Sequence, residues 1–128
     1  MTKRDLVLAV LSTSEGRPWT PVQVQKIFFL LDQKMPGELG GPLWNFTPYD
    51  FGPFDSDVYR QIERLQQDDL AHVDNGGMRR FMLTPFGHAQ GEALLKRLPD
   101  ETRDYVERLA NWVRSLSFQQ LVSAVYRQ

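Results

Sequence analysis

Twenty residues, Phe46 to Leu65 (FTPYDFGPFDSDVYRQIERL), constrain this chain more than any other stretch. Large rings are driven out of water, so a loop carrying Phe46, Tyr49, Phe51 and Phe54 among Pro48, Gly52 and Pro53 is too apolar for a solvated connector. It must dock, either on the body of its own domain or on a second molecule. The loop runs straight into a helix. Asp55-Ser56-Asp57 supplies an N-cap and acids that suit the positive end of a helix dipole. Val58, Ile62 and Leu65 then repeat at helical spacing, with Tyr59 on the flank.

The rest of the chain divides cleanly. Leu6, Val7, Val10 and Leu11 share one face of a first helix from about Lys3 to Ser12, which Ser14-Glu15-Gly16-Arg17-Pro18 breaks. Thr20-Pro21-Val22-Gln23 combines a cap, a first-turn proline and a residue able to reach back, so a second helix is expected to about Lys34, burying Val24, Ile27, Phe28 and Leu31. Residues 35–54 hold four glycines and four prolines, which predicts a long irregular loop. Leu70 to Val73 and Arg79 to Leu83 read as strands joined through Asp74-Asn75-Gly76-Gly77, a hairpin turn. Thr84-Pro85 opens a helix to Leu95 or Leu98, and Pro99 stops it. Tyr105, Leu109, Trp112, Val113 and Leu116 form the wide stripe of the next helix. Ser117 to Gln120 is a capping box for a last one, with Phe118, Leu121, Val122 and Val125 on one face. No stop signal follows at Tyr126-Arg127-Gln128, so a further tail is compatible with the sequence.

Three helices, a two-stranded hairpin and a further helix, in that order, are the layout of a winged helix. The expected class is mainly α with a small β-hairpin, a winged helix with additional C-terminal helices. One domain spans residues 1–128, with a core at 1–98 and a helical extension at 99–128. At 128 residues and 41% hydrophobic content, such a domain can bury a core without staples. There is no cysteine, which removes disulfides, thiolate nucleophiles and thiolate metal sites. The apolar run Leu6 to Leu11 is far too short to span a membrane, and a cytoplasmic address is expected. His72 and His88 have no acid or second histidine at ligand spacing, so no metal or other cofactor is expected. Asp50 beside Tyr49 makes no supported acid/base pair, and no nucleophile or phosphate cradle accompanies it, so the chain does not read as an enzyme.

Two binding modes remain. Arg60, Gln61 and Arg64 on the outward face of the third helix, with Arg79 and Arg80 on the wing, could read DNA as a dimeric winged-helix regulator does. Against this, the third helix carries five acids and two arginines between Asp55 and Asp69, and the net charge of −1 supplies no general pull toward phosphate. The protein-binding reading uses Tyr49, Phe51, Phe54 and Tyr59. In it Tyr49 is the ring at a wet edge, while Phe51 and Phe54 flank the Gly52-Pro53 bend and are expected to be buried; the alternative is that Tyr49, Phe51 and Phe54 all plug the gap between helices two and three. Trp112, Leu116, Phe118 and Val122 offer either cover for the domain's own core or a homodimer face.

VQKIFFLLDQ in the second helix, FTPYDFGPFDSDVYRQIERLQQDDL across the loop and third helix, and SFQQLVSAVY near the end resemble the Panacea antitoxin domain family, which includes SocA-type antitoxins and phage-associated proteins of the YwgA kind. The YDFGPF run is the most specific part, matching the family's aromatic-x-aromatic-Gly-Pro signature. The resemblance is close from Gln23 to Leu70 and looser elsewhere. It implies a helical, winged-helix-like fold that acts by binding a partner protein, commonly a toxin or a phage or host factor.

Overall fold

The computed structural model of the protein describes residues 1–126, with side chains described as far as Ser123. Arg127, Gln128 and the side chain of Val125 lie outside the described residues. The element order is α1 (Lys3–Leu11), α2 (Pro21–Lys34), β1 (Thr47–Tyr49), β2 (Gly52–Phe54), α3 (Ser56–Gln67), β3 (Ala71–Asp74), β4 (Arg80–Leu83), α4 (Pro85–Lys96), α5 (Asp100–Ser115) and α6 (Phe118–Tyr126). The protein is mainly helical, with two separate two-stranded antiparallel sheets.

Helix α1 is the centre of the molecule. Every residue from Leu6 to Leu11 is buried, against the single buried face expected, because α3, α4, α5 and β4 all pack on it. The contact with α4 is at backbone level: a Cβ placed on Gly91 would sit 2.6 Å from the Leu8 carbonyl oxygen. After α1 a 3₁₀ turn (Ser12–Ser14) runs into Glu15 and Gly16, both left-handed. Trp19 then forms an isolated antiparallel bridge with Phe81 of β4 and is itself fully buried.

The caps fall where the sequence places them. Thr20 and Gln23 form a capping box on α2, and the Thr84 hydroxyl accepts from the Gly87 amide at 3.0 Å. Ser117 Oγ accepts from the Gln120 amide at 3.2 Å, while Gln120 Oε1 accepts from the Ser117 amide at 2.8 Å. Val58, Ile62 and Leu65 are buried along α3. The β3–β4 register pairs Ala71 with Leu83 and Asp74 with Arg80. The turn between them is held by the Asp74 carboxylate, which accepts from the Gly76 amide at 2.9 Å.

Two expectations are corrected here. Residues 35–54 are not irregular throughout, since they contain the β1–β2 hairpin. On α5 the buried positions are Thr102, Val106, Ala110 and Val113, whereas Trp112 is 42% exposed and lies off the stripe. Val106, Ala110, Val113 and Leu121 join Leu6 to Leu11 in one hydrophobic cluster, so α5 and α6 complete the core that α1 begins.

Candidate ring surface and buried lysine

The segment after α2 is anchored by residues that sequence reasoning did not single out. The Asp32 carboxylate accepts from the backbone amides of Leu43 and Trp44, at 2.7 and 3.1 Å. This sets the Trp44 indole into the core, 5.5 Å from the Phe28 ring centroid. Phe46 packs edge-on against Phe29 at the same distance. Trp44 and Phe46 plug the loop into the helical body and half-buried Phe54 packs on Tyr59 of α3, whereas Tyr49 and Phe51 fill no such gap.

The next residues form a hairpin. Pro48 lies directly opposite Pro53. Neither has an N–H, so the two prolines share a rung whose amides are not needed for pairing. Asp50 and Phe51 make the two-residue connection, and Gly52 takes a φ of 124° that a side chain would resist. A residue at the tip of a tight turn is pushed away from the body. Phe51 is accordingly 55% exposed, which corrects its expected burial, and Tyr49 is 60% exposed.

The base of the hairpin is rigid. Gln25, buried on α2, accepts from the Asp55 amide and donates to the Asp55 carbonyl, both at 3.0 Å. The Asp55 carboxylate accepts from the Asn45 amide at 2.8 Å and from the Asp57 amide at 2.9 Å. Asp57 in turn holds Lys3 at 2.7 Å, and this bond keeps its carboxyl below the usual carboxylate range.

From the tip inward runs a ladder of rings. Tyr49 packs on Phe54 at 5.0 Å, Phe54 on Tyr59 at 5.7 Å, and Tyr59 stacks on the buried Phe81 at 5.7 Å. The half-buried Tyr59 has its phenol pKa raised by desolvation. Phe118 from α6, 50% exposed, meets Phe51 edge to face at 5.2 Å. Two rings 67 positions apart in sequence are therefore one surface, and Phe118 belongs with the hairpin residues rather than with Trp112. Leu116 and Val122, the other candidates for a dimer face, are only partly exposed.

Beneath these rings is a cavity of about 260 Å³, walled by Pro21, Val22, Tyr49, Phe54, Tyr59 and Phe118, with Lys26 of α2 also lining it. Lys26 is 1% exposed, and its Nζ has no hydrogen-bond partner. Burial alone depresses its pKa from 10.5 to about 8. Lys26 lies one helical step from Val22 on one side and from the buried Leu30 on the other, so an apolar neighbour in each direction along α2 was a readable signal.

The residues considered for DNA are placed differently. Gln61 is buried, with its amide directed to Asp57 at 3.5 Å, which corrects its outward assignment. Arg60 is paired with Asp57 at 3.2 Å. The Arg79 guanidinium lies 5.0 Å from both the Tyr59 and Phe81 rings and 3.6 Å from Glu63. Arg80 donates to the Arg79 carbonyl, and Arg64 is exposed. His88 does have an acid at helical spacing, Glu92 at 3.1 Å, which corrects that reading. Among the described residues no three of His, Cys, Asp and Glu gather as a metal site would require, and no helix is long and apolar enough to cross a membrane. No family model, curated protein or solved structure matches the chain.

Proposed function

We propose that this chain is a non-catalytic interaction domain, winged-helix-like in plan, that captures a partner protein on the surface of Tyr49, Phe51 and Phe118. The observation that carries the reading is the meeting of Phe51 and Phe118, both half exposed and in contact, at a rigidly based hairpin. Contiguous exposed aromatic area is uncommon on a lone domain, and such rings are the usual anchors of protein interfaces. The winged-helix plan is supported by the Trp19–Phe81 bridge, which lays one residue of the α1–α2 connection antiparallel against β4. In that plan the β1–β2 hairpin is an insertion before α3, and the YDFGPF run that resembles Panacea-type antitoxins is its tip. A partner of that kind would be a toxin or a phage or host factor.

The regulator reading has less support. Arg60, Gln61 and Arg79 are committed to Asp57, Glu63 and neighbouring rings, leaving Arg64 and Arg80 as the cations best placed to meet phosphate. The test is capture of partner from native extract by tagged wild type, Phe51→Ala and Phe118→Ala, with thermal melts of each. The expected result is one captured protein lost from both variants, equivalent to about 2 kcal/mol or more of binding, with melting temperatures unchanged. Undiminished capture by both variants would refute the ring surface. A specific shift of upstream DNA at physiological salt, abolished by Arg64→Ala, would establish the regulator instead.

A further inference from the structure

A buried ammonium with no partner is an unfinished arrangement. Removing such a group from water without a compensating charge or hydrogen bond is costly, and buried lysines are ordinarily paired. Lys26 has neither an acid within ion-pair distance nor a hydrogen-bond acceptor among the described residues. The neighbouring polar group, the Gln25 amide, is committed at both ends to the Asp55 backbone. A cavity with aromatic walls lies against this lysine and is open at the rim where Tyr49 and Phe51 are exposed.

We infer that the cavity is a binding site for a small monocarboxylic acid with a ring or short chain as its apolar body, its carboxylate seated on the Lys26 ammonium and its body held among Tyr49, Phe54 and Phe118. Charge fixes the class. A single ammonium with three donors, set in apolar walls, matches one carboxylate, whereas a phosphate would leave oxygens facing rings. Volume fixes the size. About 260 Å³ lies just below the range of roughly 300–1,000 Å³ that holds drug-sized molecules, which points to a ligand of about one ring with a short acid arm. The depressed pKa agrees, since a lysine near 8 is still mostly protonated at neutral pH and a bound carboxylate would relieve its desolvation. This inference does not rest on the partner-protein reading, because the experiment below needs no partner.

The probes are 3-phenylpropionate and its neutral amide, 3-phenylpropanamide, titrated into the full chain at pH 7 and followed by calorimetry and by the NMR signals of the lysine side chain and aromatic rings. The acid is expected to bind at least tenfold more tightly than the amide and to shift the Lys26 Nζ signal along with those of Tyr49, Phe54 and Phe118. Lys26→Met is expected to erase the tenfold preference for the acid, and Lys26→Gln serves the same comparison if the methionine variant does not fold. Equal affinity for acid and amide in the wild type, binding of neither, or shifts confined to surface lysines would overturn the inference. So would a preference for the acid that survives loss of the Lys26 charge, or binding only of a peptide bearing a carboxylate and not of the free acid.

Discussion

Replacing Lys26 by methionine should stabilise the protein, which is the reverse of what most buried substitutions do. The side chain keeps its unbranched shape and loses only the ammonium. The folded-state pKa is about 8 against 10.5 for the free group, a depression worth roughly 3 kcal/mol at 1.36 kcal/mol per unit. The sign follows from linkage. Below pH 8 lysine is charged in both states, and the folded protein bears the full cost of burying that charge. Between pH 8 and 10.5 the folded state has released the proton while the unfolded state retains it, so wild-type stability rises with pH. Above 10.5 the lysine is neutral in both states and the cost is gone. Chemical denaturation of wild type and Lys26→Met should therefore show the variant more stable by roughly 3 kcal/mol at pH 7, with the advantage shrinking from pH 8 and nearly absent at pH 10.5. Tyr59, whose phenol also titrates at high pH, is common to both proteins and cancels in the difference. A variant no more stable than wild type at pH 7, or an advantage that stays flat from pH 7 to 10.5, would show that the ammonium is solvated or paired, and the reasoning would fail.

Two further outcomes are expected. Gly87→Ala should cost about 3 kcal/mol in urea unfolding, because its new methyl would collide with the Leu70 carbonyl where α4 begins, and an unchanged midpoint would contradict that close approach. Asp57→Asn should cost about 1 kcal/mol at neutral pH through loss of the Lys3 pair. Since the folded pKa of Asp57 lies below its unfolded value, that contribution is complete above about pH 4 and is lost as pH falls through the lower folded value; a wild-type advantage that persisted under strong acid would rule the pair out as its source.

Much of the helical scaffold was legible because its signals are local. Thr20-Pro21 and Thr84-Pro85 announce helix starts through one hydroxyl and one fixed φ, and Val58, Ile62 and Leu65 announce a buried face by spacing alone. The β1–β2 hairpin was not legible, since a proline in each three-residue strand argues against a strand. Only the register, which sets Pro48 against Pro53, removes the objection, and register is a property of two segments together. Phe51 misled for a related reason: hydrophobicity predicts burial on average, but a turn tip has no interior to enter. Of the ring surface, only the part with Tyr49 and Phe51 was legible in the sequence. Its joining to Phe118 was beyond local reading because it depends on where α6 returns, and Lys26 was overlooked because a lysine in an amphipathic helix is ordinarily taken for its solvated side.

The central helix α1 also carries a consequence for biosynthesis. It leaves the ribosome before the elements that pack on it, and its six consecutive buried residues lack their largest neighbour until α4 arrives with Gly91, 80 residues after Leu11. At about 5–20 residues per second that leaves an apolar helix incompletely covered for roughly 4–16 seconds in every nascent chain. Escape from aggregation in that interval depends on whatever shields the emerging segment, and slow codons between α1 and α4 would lengthen the risk without altering a single residue of the finished protein.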